Sequence, residues 1–117
     1  MTRDDVLPKK SKAFAIEIIM LYKYLKNEKK EFVISEQLLR SGTSIGANIR
    51  ESIRGQSVAD FYAKLFISLK EAEETEYWLE LLSETNYLEE DEYEKLYNEC
   101  EEIIKLLVSV VKHRNKK

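Results

Sequence analysis

The chain contains, at residues 31–57, the segment EFVISEQLLRSGTSIGANIRESIRGQS. A helix with about 100° per residue would give this segment two stripes on nearly opposite sides. Small residues at positions 41–47 would let a neighbouring backbone approach closely. The segment therefore predicts a tightly packed helix with an apolar inner face and a basic outer face. The inner stripe holds Leu38, Ser41, Ile45, Ile49 and Ser52, and the outer stripe holds Arg40, Thr43, Ala47, Arg50 and Arg54.

Three further helices are predicted around this one, because apolar residues recur at helical spacing in the segments that flank it. Pro8 is expected to end an irregular lead, and Ser35 is expected to cap the second helix. Ser57 followed by Asp60 resembles a capping box that starts the third helix. The expected helices cover residues of about 11–27, 35–54, 57–84 and 89–111.

The composition favours long helices joined by few turns. The 117 residues are 44% hydrophobic and 35% charged, and they include only three glycines and one proline. Strand-rich folds need more turn residues than that. Four amphipathic helices with short connectors predict a single domain over residues 1–117, all-α, built as an antiparallel up-down-up-down four-helix bundle.

Charge and residue counts limit the chemistry that this chain could perform. A formal net charge of −3 argues against coating nucleic acid over the whole surface but leaves room for a local basic patch. Cys100 is the only cysteine and His113 the only histidine, which excludes an intrachain disulfide and a multi-histidine metal site. The N-terminus MTRDDVLPKK has no signal-peptide core, and no apolar run is long enough to span a membrane. A cytoplasmic location is therefore expected.

The third helix has a second apolar edge opposite its core stripe. This edge holds Ile67, Trp78 and Leu82, interleaved with Glu71 and Glu74. One interpretation is that Trp78 covers a loop. The other is a subunit interface with an aromatic centre and a charged rim, since a monomer seldom exposes such a patch.

The arginines of the second helix, Arg40, Arg50 and Arg54, also have two interpretations. They could bind RNA phosphates, or they could pair with Glu71 and Glu74 of a neighbouring subunit, because the arginine fork matches a carboxylate. No RNA-recognition-motif signature or helix-turn-helix pattern is present. Most aromatic residues lie on core stripes, so base stacking is not indicated.

Glu76 lies in the core stripe of the third helix, where a carboxylate needs a partner. Ser41, Ser44, Asn48 or a tyrosine hydroxyl could supply one. We interpret this contact as structural rather than catalytic.

Metal and nucleophile chemistry are only weakly indicated. Glu73, Glu74 and Glu76 form an acidic group, but a di-iron bundle needs two Glu-x-x-His pairs and the sequence has none. Cys100 falls on an apolar stripe without a basic neighbour and is expected to be a small core residue. No catalytic, cofactor-binding or metal-binding residue is predicted.

Two segments carry a resemblance to a known family. QLLRSGTSIGANIRES at 37–52 and ADFYAKLFISLKEAEETEYWLELL at 59–82 resemble the four-helix-bundle proteins encoded by intervening sequences of 23S ribosomal RNA. The similarity covers nearly the whole chain and implies a small bacterial bundle that assembles into a homopentamer. A related branch comprises accessory proteins of diversity-generating retroelements, strongly basic bundles that work with a reverse transcriptase and RNA. The net charge of −3 departs from that branch.

These observations lead to one leading expectation and two competing ones. The leading expectation is a non-enzymatic homo-oligomer, a pentamer by resemblance, that acts as a scaffold or binding module for RNA or an RNA-handling protein. No cofactor, membrane or small-molecule substrate is expected. The first competitor is a protein-interaction module with no nucleic-acid role. The second is a metal-dependent enzyme using the carboxylates of Glu73 and Glu76, which lacks a well-placed histidine, an activated nucleophile and a phosphate-binding loop.

Overall fold

The structure is a computed structural model that describes residues 6–115. Within that range it contains four α-helices, a final 3-10 turn and no strand, so the predicted all-α class is confirmed. The helices are α1 Val6–Asn27, α2 Ile34–Ile53, α3 Val58–Glu84 and α4 Glu90–Val111, and the turn covers Lys112–Asn115.

Contacts between residues on different helices give the direction of each helix. In the α1–α2, α2–α3 and α1–α4 pairs, a later residue of one helix meets an earlier residue of the other, so these pairs run antiparallel, and α3 and α4 must then also be antiparallel. The bundle is therefore up-down-up-down as predicted, and the start of α1, the end of α2, the start of α3 and the end of α4 lie at one end. The contacts are Ile18–Gly42 and Ser11–Gly46 between α1 and α2, Ser41–Thr75 and Ile45–Ser68 between α2 and α3, Ala72–Cys100 between α3 and α4, and Lys10–Glu102 and Glu17–Lys95 between α1 and α4.

The small residues of α2 bring it close to α1. A Cβ atom added at Gly42 would lie 2.8 Å from Cγ2 of Ile18, and one at Gly46 would lie 3.1 Å from Oγ of Ser11. Carbon atoms do not approach that closely without displacement, so larger residues would push α1 away. The predicted close approach is confirmed, and the approaching backbone belongs to the same chain.

The predicted inner stripe of α2 is buried throughout, including Leu38, Ile45 and Ile49. Its polar members find partners inside the bundle, as buried hydroxyls must. The Oγ of Ser41 accepts from Oγ1 of Thr75 on α3 at 2.8 Å, and the Oγ of Ser52 donates to the carbonyl of Ile49 at 2.6 Å. One hydrophobic core is thus shared by residues of all four helices.

One predicted helix start and one predicted cap are wrong. α1 begins at Val6 rather than near Ser11, because proline is tolerated in the first turn, where Pro8 lies. α2 is capped by Glu31 instead of Ser35. The Glu31 carboxylate accepts from the backbone N–H groups of Val33, Ile34 and Ser35 at 3.2, 2.9 and 2.6 Å. A carboxylate at this position also interacts favourably with the positive end of the helix dipole.

The boundaries of α3 follow the prediction. The Oγ of Ser57 accepts from the backbone N–H of Asp60 at 3.0 Å, which caps the helix start. The helix ends at Glu84, and Asn86 then takes a positive φ of 69°, a conformation that asparagine adopts more readily than most residues. Within residues 6–115, none of the helices has the length and apolar character needed to cross a bilayer.

Candidate interaction surfaces

Arg40 forms an ion-pair network with α3 of its own chain. Its Nη1 lies 3.1 Å from Oε1 of Glu71, and its Nη2 pairs closely with Oε2 of Glu74. Arg40 thus pairs within its own chain with the glutamates that one interpretation of the sequence assigned to a neighbouring subunit. Antiparallel packing of α2 on α3 puts the three side chains side by side within one chain.

Trp78 belongs to the same network. Its Nε1 donates to Oε2 of Glu74 at 3.2 Å, and its ring is half-buried against the core. The ring of Tyr77 lies beside it with centroids 5.3 Å apart, and this tyrosine is 53% exposed. The indole is thus held by its own helix, with an exposed aromatic neighbour.

Leu82 does not belong to the exposed edge of α3, contrary to the prediction. It is fully buried in the core, whereas Ile67 is 41% exposed. Leu82 follows Leu79 by three residues and Thr75 by seven, and these spacings put it on the buried side of the helix. Because α3 packs against both α2 and α4, its buried arc is wider than a single stripe. The exposed edge of α3 includes the half-buried Leu81 in place of Leu82.

Arg50 and Arg54 lie apart from Arg40, at the bundle end where α2 finishes. Both are exposed. Antiparallel topology brings cations from α1 and from the segment after α4 to the same end. The guanidinium of Arg114 lies 5.1 Å from the ring centre of Phe66, a distance that suits a cation–π contact. We call this surface the basic end, defined by the exposed residues Lys9, Lys12, Arg50, Arg54, Lys112 and Arg114.

Of the basic end, only Arg50 and Arg54 were candidate binding residues in the sequence, and its members are up to about a hundred positions apart in the chain. Their meeting depends on the up-down-up-down topology. One neighbouring cation, Lys10, pairs with Glu102 at 3.0 Å.

A groove of about 850 Å³ opens at the opposite end, between α1 and the start of α4. Its apolar side is formed by Ile16, Met20 and Tyr24, which are 52%, 60% and 43% exposed. Its other side carries carboxylates from the α3–α4 loop and α4. We call it the acidic groove, defined by these three residues with Tyr87, Glu89, Glu90, Glu92 and Glu94. This surface was not predicted from the sequence, although the spacing of four residues between its α1 members is a helical signal.

Glu76 is 9% exposed and faces Glu101 of α4, which was not among its predicted partners. Burial, and then the hydrogen bond and charge of Glu101, raise the pKa of Glu76 to about 8. Its Oε2 has no hydrogen-bond partner among residues 6–115. Asn48 cannot be the partner, because its Nδ2 donates to the carbonyl of Ser44 at 2.9 Å. The raised pKa therefore favours the protonated form of the Glu76 carboxyl near neutral pH.

Two candidates for chemistry remain, the thiol of Cys100 and a possible cluster of metal-binding side chains. The Sγ of Cys100 is fully buried and donates to the carbonyl of Ala72 at 3.3 Å, and burial raises the pKa of this thiol. Among the residues that the structure describes, no three His, Cys, Asp or Glu side chains converge to hold a metal ion.

Comparison with known proteins identifies the family. A search of curated proteins finds no match. A similar solved structure is that of a protein with unknown function from the S23 ribosomal protein family of Bacteroides thetaiotaomicron VPI-5482. It is 58% identical, with a TM-score of 0.93 over 95% of this chain and 99% of that one. The family model for the 23S rRNA-intervening sequence protein matches residues 3–109. The chain therefore belongs to the 23S rRNA-intervening sequence protein family.

Proposed function

We propose that this protein is a non-enzymatic, homo-oligomeric binding module of the cytoplasm, with RNA or an RNA-handling protein as its partner. The observation that carries the binding role is the basic end. Six exposed cations from α1, α2 and the segment after α4 lie toward this end of the bundle, on a chain whose formal net charge is −3. Positive charge concentrated on an acidic protein favours one localised contact with a polyanion.

Arg50 and Arg54 suit phosphate binding better than Arg40 does. They are exposed, and neither forms a salt bridge with another described residue. Both terminal nitrogens of Arg40 already form salt bridges with carboxylates. A guanidinium that is free to form two parallel hydrogen bonds can bind a phosphate without breaking an existing pair.

Replacing Arg50 and Arg54 together with alanine is expected to weaken RNA binding similarly for all sequences. Each lost phosphate contact should also lower the slope of log affinity against log salt by about 0.7 for a single strand. Fluorescence anisotropy of a labelled single-stranded RNA, titrated at several salt concentrations, measures both effects. Arg40→Ala is the matched control and should leave affinity and slope nearly unchanged.

Equal losses in the Arg40 variant and the double variant would remove the basic end from the proposal. No salt-dependent binding by the unmodified protein would favour the second candidate function, a protein-interaction module with no nucleic-acid role. The acidic groove specifically favours that candidate, because its carboxylates would repel RNA.

Assembly is proposed through the exposed edge of α3, where Ile67 and Tyr77 remain in contact with solvent beside Trp78. Covering apolar surface of this kind with a neighbouring subunit stabilises the assembly by roughly 25 cal/mol for each Å² removed from water. The number of five subunits comes from the family resemblance alone. A closed ring uses one surface of each subunit against a different surface of the next.

The non-enzymatic part of the proposal is supported by the location of the reactive groups. Neither Glu76 nor Glu101 lines the acidic groove, and Glu76 is 9% exposed. Burial raises the pKa of the Cys100 thiol, which keeps it protonated and poorly nucleophilic. A cytoplasmic location is favoured by a single cysteine that has no partner for an intrachain disulfide.

A further inference from the structure

We propose that the acidic groove binds a basic amphipathic helix of a partner protein. This inference deepens the proposed binding role and rests on it in expecting a partner at all. It does not depend on RNA binding by the basic end or on the number of subunits.

The apolar side of the groove has the spacing of a helix-binding site. Ile16, Met20 and Tyr24 follow each other at four-residue intervals and span about 12 Å along α1. Each is large and 43–60% exposed. A partner helix that lays apolar residues at i, i+4 and i+7 into such a groove would cover them over about two turns.

The other side of the groove carries surplus negative charge. Glu89, Glu90, Glu92 and Glu94 line it, and none of the four forms a salt bridge with another described residue. These glutamates lie at the start of α4, where the helix dipole is equivalent to about half a positive charge. That partial charge offsets only part of the negative charge of the four glutamates. The excess predicts an occupant with lysine or arginine beside its apolar residues.

The groove already holds one cation against its aromatic surface. The Nζ of Lys29 lies 5.9 Å from the centre of the Tyr24 ring. A ring face at this distance attracts an ammonium or guanidinium group. A basic residue of the partner helix can contact the same ring face. Tyr24 would then bind both apolar and cationic side chains of the partner.

A second copy of this chain is a poorer occupant than a different protein. The basic end consists of helix ends rather than a helix face with several apolar residues. The exposed edge of α3 is apolar, but it carries the carboxylates of Glu71 and Glu74, and Arg40 offsets only one of these two charges, so the edge does not complement the acidic groove. On α4, the exposed Val108 lies near Lys105 and Lys112, but it offers one apolar side chain against the three that the groove presents. The groove therefore favours a partner with a longer apolar and basic face.

The test is a selection from a displayed library of randomised helical peptides against the full-length protein. Enriched peptides are expected to carry apolar residues at i, i+4 and i+7 and basic residues beside them. They should bind an Ile16→Ser/Met20→Ser variant at least tenfold more weakly, measured by fluorescence anisotropy. Ile53→Ser/Val58→Ser is the matched control, because these residues are 57% and 73% exposed at the α2–α3 connection, and it should bind normally.

Charge is tested separately with Glu90→Gln/Glu94→Gln, which should reduce both the affinity and its salt dependence. Enriched peptides that are neutral or acidic, or that bind the Ile16/Met20 variant as tightly as the unmodified protein, would overturn the proposal. An unmodified oligomer that becomes a monomer in the Ile16/Met20 variant would also overturn it, because a second copy would then cover the groove. That last result would still agree with the proposed homo-oligomer. A failure of the protein to bind RNA would contradict only the RNA part of the proposed function, and the groove proposal would be unaffected.

Discussion

Replacing Ile49 with alanine is expected to lower the free energy of unfolding by about 2–5 kcal/mol. Ile49 is 1% exposed, on the inner stripe of α2. Truncation removes its transfer free energy and leaves a cavity, and the close contact of α2 with α1 limits how far the helices can collapse into it. Chemical denaturation followed by circular dichroism measures the change.

Ile53→Ala is the control, one turn further along α2. Its side chain is 57% exposed, so the loss should stay within roughly 0.5 kcal/mol. Similar losses at both positions would show that the apolar stripe of α2 does not face the core as described.

Replacing Glu76 with glutamine is expected to stabilise the protein at about pH 9 by roughly 1–3 kcal/mol and to have little effect at about pH 4. The folded pKa of Glu76, about 8, lies above its ordinary value of 4.5. The protonated carboxyl is therefore favoured by folding, and its contribution is complete below about pH 4.5. It is lost as the pH rises through about 8, when the buried Glu76 carboxylate faces the half-buried carboxylate of Glu101. Glutamine stays neutral and can donate to Glu101 at any pH.

Thermal unfolding at a series of pH values measures this difference. Glu84→Gln, an exposed position on the same helix, should show no comparable pH dependence. A Glu76 variant whose stability follows the unmodified protein at every pH would mean that Glu76 is ionised throughout.

Helix periodicity was sufficient to predict the bundle, because each inner stripe needs only the burial pattern of its own helix. Helix starts depend on less regular chemistry. Glu31 caps α2 from outside the helix, and Pro8 is accommodated in the first turn of α1. Propensity alone favoured Ser35 as the cap, but the carboxylate of Glu31 reaches three N–H groups at once.

The candidate surfaces were harder to predict, because they depend on which helices become neighbours. Leu82 is buried because α3 packs on two sides. Arg40 pairs within the chain because α2 lies antiparallel to α3. The basic end joins residues from both ends of the sequence, and only the chain topology brings them together.

The two proposed binding sites lie at opposite ends of a bundle 49 Å long. RNA at the basic end and a basic helix in the acidic groove would therefore not compete for the same surface.

Assembly is tested by light scattering on the full-length protein, together with two variants and a control. The unmodified protein is expected to have five times the 13.8 kDa mass of one chain. Trp78→Ala and Ile67→Glu should each lower this mass, and Ile53→Ala should keep it. Because Trp78 also packs on the core, Ile67→Glu provides the variant that alters only exposed surface. A single-chain mass for the unmodified protein, or an unchanged assembly in both α3 variants, would contradict the proposed assembly.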